Sequence, residues 1–265
     1  MLFATDLDRT VIHASRFLKA GLDATCVEYL DGREISYMTE KAQSLVETVK
    51  RTEGLYLVPV TTRSRKQFER VQPFQDCPYA IVANGGIILK NGQPLTAWQD
   101  KMSRLRQNLH AEYEGILQSL EQLKPYLTKE PVLVDDLFYF TKVVEDREVV
   151  ERDLWPLLEE LVAGRDWTFT IQGIKLYLLP SEVSKENALA YLVQELNQTS
   201  VITSGDGKLD AGFLALGNPA FIPERSEVLD YIAPGFSYQS VSQGLRGAEE
   251  ILEAVLHEKE IESSK

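Results

Sequence analysis

The chain has 265 residues, 44% of them hydrophobic, and a formal net charge of -12 at pH 7. That length and apolar content suffice for a large buried core, as one large domain or two modest ones. The acidic balance gives no general attraction to a phosphate backbone or an anionic bilayer, so nucleic acid and membrane are not expected partners. No apolar run approaches the about 18 residues of a membrane helix. The first apolar stretch ends at Asp6 with no basic segment ahead of it, so no signal peptide is expected. Cys26 and Cys77 lack metal-ligand spacing and are expected as two reduced thiols in a cytoplasmic protein. Composition sets no oligomeric state.

In chain order, Leu2-Phe3-Ala4 reads as a buried strand that runs into Asp6-Leu7-Asp8-Arg9-Thr10. Two carboxylates two residues apart at the end of such a strand are costly to desolvate and point to chemistry rather than stability. Such a pair can hold a divalent cation, and one member can attack an electrophile while the other moves a proton. Asp31-Gly32, between the runs 26–30 and 33–37, predicts a hairpin, placed as a flap beside the site. Thr39 predicts the N-cap of a helix with Ala42, Leu45, Val46 and Val49 on one face, stopped at Gly54. Residues 55–60 read as a parallel strand with Pro59 at the end of its pairing, and they lead into Thr61-Thr62-Arg63-Ser64. A short helix over 65–71 and an apolar run 79–83 ending in Asn84-Gly85-Gly86 follow.

The pattern changes at Asn91-Gly92. A long amphipathic helix is expected over 98–123, then Val132–Val134 and Phe138–Phe140 as a hairpin or one bent strand around Asp135-Asp136. A second helix over 146–163 with Leu157 among its buried residues, and a hairpin over 167–179, complete an α+β block. Alternation resumes with a helix over 185–197 that opens at Ser184-Lys185. A strand 201–203 leads into Ser204-Gly205-Asp206-Gly207-Lys208-Leu209-Asp210. A strand 213–216 and a terminal helix 246–258 are expected next, with a frayed tail from Glu260. The expected fold class is α/β: a Rossmann-like, doubly wound parallel sheet formed by 1–90 plus 181–265, interrupted by an α+β cap over 91–180. Ligands of such sheets sit beyond the carboxyl ends of the strands, which is where the polar segments fall.

These segments, in this order, resemble the motifs of the haloacid dehalogenase-like (HAD) phosphatases: D-x-D-x-T, a strand-terminal Thr or Ser, a Lys, and G-D-x-x-x-D. The Asn84-Gly85 step is similar to the Cof-type and sucrose-phosphatase-like branch, which carries a C2-type cap. The resemblance covers nearly the whole chain. It implies a Mg²⁺-dependent phosphatase acting on a small phosphorylated metabolite, a sugar phosphate first, through an aspartyl-phosphate. It implies Asp6 as nucleophile, Asp8 as acid and base in surroundings that favour its protonated form, and Thr61 and Lys185 as phosphoryl-binding groups. Thr62, Arg63, Asn84 and Gly85 are candidates for substrate binding, with Thr62 competing with Thr61 for the motif position. The metal set would be Asp6, Asp206, Asp210 and Asp8, the last through its backbone carbonyl; Asp210 either holds a metal-bound water or orients its loop. Arg9 stands where Gly is frequent, Leu209 where Asn is frequent, and Thr62 where the usual T-G-R has Gly. The alternatives are a phosphomutase or phosphotransferase, and a catalytically silent phospholigand-binding regulator. Outside this context the Asp pair would be a turn or helix cap, and Lys185 a solvated helix residue.

Overall fold

The computed structural model describes residues 1–18 and 23–264. The chain divides into two compact units, Met1–Leu95 with Lys185–Lys265, and Thr96–Ser184.

The first unit is organised by a five-stranded parallel sheet in the order Gln239–Val241, Ala220–Pro223, Val201–Ser204, Leu2–Thr5, Tyr56–Pro59. Strand alternation sorts the core. Phe3, Leu57, Ile202 and Phe221 join one apolar cluster with the helices Glu40–Arg51 and Leu245–Ser263, whereas Ala220 and Ile222 join another with Leu214 and Val228. Thr39 caps the first helix by accepting the Ala42 N–H at 3.0 Å. Pro59 is the last residue of its strand, where its missing N–H removes no ladder bond beyond it. The strand Tyr79–Val82 joins this edge through the single parallel bridge Val60–Ile81. Ala24–Leu30 and Arg33–Thr39 form the hairpin, with Asp31 and Gly32 at φ 50° and 75°, the left-handed values a tight two-residue turn requires.

The second unit is a four-stranded antiparallel sheet, ordered Trp167–Gln172, Lys175–Pro180, Phe138–Lys142, Val132–Val134, with helices packed on it. Val132–Val134 and Phe138–Lys142 are a hairpin, turned by Asp135 and Asp136 at φ 48° and 59°.

Several elements differ from the sequence expectation. The long helix is two, Thr96–Asn108 and His110–Gln122, kinked at Leu109; the bonds from Leu109 N–H to Leu105 and from Tyr113 N–H to Leu109 persist. Leu117, expected on the apolar face, is exposed. The second helix starts at Arg147 behind the Asp146 cap and contains a π-turn, Val150–Leu154, just before Pro156. Pro156 has no N–H to give the Arg152 carbonyl, so the turn widens, and Leu157 faces outward. The run 213–216 is not a strand: Ala211–Leu214 is one helical turn, and the strand falls at Ala220–Pro223. The short helix after Ser64 ends at Phe68, and the terminal helix runs through Ser263 instead of fraying at Glu260. Its last turn is held by Lys259, which pairs with Glu262 at 2.8 Å. Both cysteines are free, Cys77 buried and Cys26 partly so. Among the described residues no helix is long and apolar enough to cross a membrane.

Candidate active site

Parallel strands deliver their following residues to one edge of the sheet. Asp6 follows Thr5, Thr61 follows the second strand by two positions, and Gly205-Asp206 follows Ser204. The Asp6 N–H donates to the Ser204 carbonyl at 2.8 Å, which ties the first and last of these ends together.

Lys185, the first residue of the helix Lys185–Glu195, crosses to this edge. It is buried, and its ammonium donates to Asp6 Oδ1 and to Asp210 Oδ1, both at 2.6 Å. The helical turn Ala211–Leu214 sets the Phe213 ring 5.4 Å from that ammonium. Asp210 uses its other oxygen to accept the backbone N–H groups of Asp206 and Gly207, at 2.9 and 2.7 Å. Of the two roles open to Asp210, orienting the loop is thus built into the structure. Gly205 permits this: a Cβ there would lie 2.8 Å from the Asp210 Cβ. Oxygens of Asp6, Asp206 and Asp210 lie within 4.8 Å of one another, all three residues buried.

Among the described residues, these three carboxylates meet only two cations, Lys185 and Arg9. Arg9 pairs with Asp206 at 2.8 Å and reaches Glu227 at 3.9 Å from a backbone at φ 68°, a left-handed conformation unusual for a long side chain. Burial pushes the Asp6 carboxyl up to about 7; Lys185 opposes this, and Asp210 and Asp8 add to it. Burial, then Asp6 and Asp210, push Asp206 up to about 8, against the pull of Arg9 and Lys185. Burial also opposes the charge on Lys185, but Asp210 and Asp6 outweigh it and hold the ammonium firmly protonated. A buried, oxygen-only and under-neutralised set is the donor chemistry of a hard divalent cation, so these residues could hold a metal ion.

Asp8 departs from this group. Its two oxygens accept both edges of a bidentate pair from Arg63, Nε at 2.7 Å and a terminal nitrogen at 2.8 Å. A guanidinium fork is a partner for the ionised carboxylate, not for the protonated form that the resemblance implies. Arg63 thus faces Asp8, and its remaining terminal nitrogen donates to Glu28 at 2.7 Å. Glu28 is fully buried, and also accepts from Arg70 at 3.1 and 3.2 Å and from the Ser36 hydroxyl at 2.7 Å. Burial opposes its charge, but Arg63, Ser36 and Arg70 together hold its carboxyl below the usual range. Sequence reasoning missed Glu28, Ser36 and Arg70. The only available signal was an acidic residue inside an otherwise alternating strand.

Thr61 is fully buried, and its hydroxyl accepts the Arg63 N–H at 3.2 Å. Its carbonyl accepts the Asn84 N–H at 3.0 Å, while the Ala83 N–H donates to the Arg63 carbonyl at 2.7 Å. The Asn84-Gly85 segment is therefore knitted to the Thr61–Arg63 turn, with Asn84 at φ 54°, a value its short polar side chain tolerates. Thr62 lies half-buried on the same turn. Thr10 donates weakly to Asp6 Oδ2 at 3.4 Å, from a loop closed by the Thr10, Val11 and Ile12 N–H groups on the Leu7 carbonyl.

A discontinuous α/β unit with its acidic residues gathered at the carboxyl ends of parallel strands defines a class of fold, and comparison with solved structures specifies it. No family model matches the sequence, and no curated protein matches it. The chain is similar to the sucrose-phosphatase of Synechocystis sp. PCC6803, solved with sucrose and phosphate, with a TM-score of 0.64 over 97% of each chain at 20% identity. It is similar to a haloacid dehalogenase-like hydrolase from B. subtilis, with a TM-score of 0.59 over 95% of this chain and 98% of that one at 15% identity. A HAD subclass IIB sugar phosphatase gives a TM-score of 0.59 over 97% and 98% at 12% identity. The fold of this chain is the haloacid dehalogenase-like fold, with the extra antiparallel sheet in its second unit.

Proposed function

We propose that this protein hydrolyses the phosphate monoester of a small metabolite, a sugar phosphate first. The observation that carries this is the buried set of Asp6, Lys185, Asp206 and Asp210, drawn from residues up to 204 positions apart in the chain (6 to 210). The sugar-phosphate class is supported only by similarity of fold to a sucrose-phosphatase and a sugar phosphatase. The unit Thr96–Ser184 is assigned as the cap.

In this reading an Asp6 oxygen bonds to phosphorus as the bond from phosphorus to the ester oxygen breaks. The bonding pair leaves with the ester oxygen, which takes a proton from Asp8; to carry that proton Asp8 gives up one of its two bonds from Arg63, and the other keeps the carboxyl in place. Water then attacks the phosphorus of the aspartyl-phosphate, Asp8 takes the water's proton, and the Asp6 carboxylate is regenerated as phosphate leaves. Lys185 neutralises the nucleophile and the phosphoryl oxygens together, and Asp210 fixes both Lys185 and the 206–207 backbone. Thr61 offers its hydroxyl proton to a phosphoryl oxygen. Mg²⁺ would be held by the Asp6 and Asp206 carboxylates and the Asp8 carbonyl, with Asp210 behind them. When bound it screens the repulsion between a carboxylate and a phosphate. Arg63 is assigned to Asp8 rather than to substrate.

The test is release of inorganic phosphate across a panel of sugar, polyol, nucleotide and cofactor monophosphates, with Mg²⁺ and with EDTA. Turnover of a small monoester that EDTA removes and Mg²⁺ restores is the expected result. Release of no phosphate from any ester, or full activity without metal, overturns the proposal. An isomerised sugar phosphate formed without free phosphate would assign a mutase instead.

A further inference from the structure

Glu28 is the one fully buried carboxylate of the hairpin Ala24–Leu30/Arg33–Thr39, and it arrives there through an irregularity. Cys26 pairs with Tyr37 and Glu28 with Ser36, so Val27 is an extra residue in its strand, and a second register shift occurs between Glu28 and Tyr29. The bulge breaks the in-out alternation, and Val27 and Glu28 are both buried. Bulges of this kind re-aim a side chain. The backbone of Glu28 is also bridged to Val71, so its position is fixed to the core segment that carries Arg70. The re-aimed carboxylate meets Arg63 on one side and Arg70 on the other, and Arg63 turns its other edge to Asp8. Burying two guanidinium groups and a carboxylate here is costly, and an apolar cluster of the same volume is often at least as stable. What it does bring is a guanidinium fixed at both ends, with the exposed end on Asp8.

We propose that Glu28 is a positioning residue for phosphoryl transfer: by anchoring Arg63 it sets the place and orientation of the Asp8 carboxyl. The proposal rests on the reading of Asp8 as the group that protonates the leaving oxygen. Glu28 touches neither substrate nor nucleophile, so its effect must scale with how much the leaving group depends on that proton.

The experiment compares kcat/KM for phenyl phosphate, whose leaving oxygen needs a proton, with that for 4-nitrophenyl phosphate, whose leaving group departs as an anion. Glu28→Gln is expected to lower the phenyl value by about tenfold or more, part of the at least 10²-fold that a general acid supplies. The 4-nitrophenyl value should change by about threefold or less. Asp8→Asn should shift the ratio of the two esters in the same direction and further, and adding Glu28→Gln to it should cost nothing more on phenyl phosphate. Arg70→Gln, which removes a partly exposed partner of Glu28, keeps the test open if Glu28→Gln fails to fold. It should move the ester ratio the same way by a smaller factor. An equal loss on both esters in the folded variants, or no loss on either, assigns Glu28 a merely structural role and overturns the proposal while the phosphatase reading stands. A wild-type protein that releases phosphate from neither aryl ester nor any monoester of the panel overturns that reading, and the proposal with it.

Discussion

The two carboxylates that begin the site lie on either side of Leu7 and enter charge clusters of opposite character. Asp6 joins Asp206 and Asp210 around Lys185 and the half-exposed Arg9, three carboxylates against two cations. Asp8 joins Glu28 around Arg63 and Arg70, two against two. In the first, burial outweighs the available positive charge, and the carboxyls of Asp6 and Asp206 are pushed up. In the second, the charge on Glu28 is fully met and its carboxyl is held down. A buried cluster that balances itself fixes geometry. One that does not is suited to take up charge from outside; in the proposed function that charge is a cation and, behind it, a phosphoryl group.

The sharpest break in this comparison is Asp6→Asn. It keeps the shape of the site and leaves Lys185 paired with Asp210, so the protein should fold, yet turnover of any phosphate ester should fall by at least about 10³-fold. Circular dichroism and phosphate release measure the two halves. A folded variant retaining a tenth of the activity would remove Asp6 as nucleophile.

Removing the cation at the centre of each cluster should separate them by stability. Lys185→Met leaves three buried carboxylates with only Arg9, and breaking a buried pair in this way costs on the order of 3 kcal/mol. Arg63→Met leaves Glu28 with Arg70 and Ser36, while the half-exposed Asp8 regains water, so its loss should be roughly half as large. Urea midpoints measure both. Equal losses would mean that the two clusters do not differ in how their charge is met.

Much of this site can be read in the sequence because Asp6, Thr61, Lys185 and Asp206 each adjoin an apolar run, and parallel strands must release the residues after them at one edge. The βα alternation and its interruption are legible for the same reason. What escapes is set by deviations from period. Glu28 is hidden because a bulge reverses the face that alternation assigns to it. The direction of Arg63, toward Asp8 rather than outward, depends on that hidden partner. The run 213–216 is too short for periodicity to decide between strand and helix, and Pro219 and Pro223 make the true strand at Ala220–Pro223 look like a loop. The kink at Leu109 has no proline or glycine to announce it.

Arg9 sharpens the comparison further. Its guanidinium pairs with one oxygen of Asp206, a carboxylate that the proposed function gives to the metal, so a cation entering there competes with it. Arg9→Gln should therefore tighten Mg²⁺ binding by about tenfold, or about 1.4 kcal/mol. Thermal melts should show this as roughly 3 °C of additional Mg²⁺-induced Tm at saturating metal. An equal or smaller Mg²⁺ shift in the variant would mean that Arg9 assists the cation instead of competing with it.

A dependence on pH concerns the balanced side. His13 is buried beside Phe17, ring centroids 5.6 Å apart, and neither ring nitrogen has a hydrogen-bond partner among the described residues. Burial pushes its pKa down to about 4, although Asp8 pulls the other way. The unfolded chain takes up this proton near 6.5 and the folded chain near 4, so between those values the unfolded state binds more protons. Stability from this group is whole above about pH 6.5 and is lost as the pH falls toward about 4, with a limiting slope of about 1.4 kcal/mol per pH unit. His13→Leu removes the titration and should flatten that stretch of the profile, whatever it does to stability at neutral pH. Urea midpoints of both proteins at about pH 7 and about pH 5 decide it, because the carboxylates contribute alike to each. If both proteins lose the same stability over that interval, the balance around Asp8 extends to His13, and the imidazole is charged in the folded state.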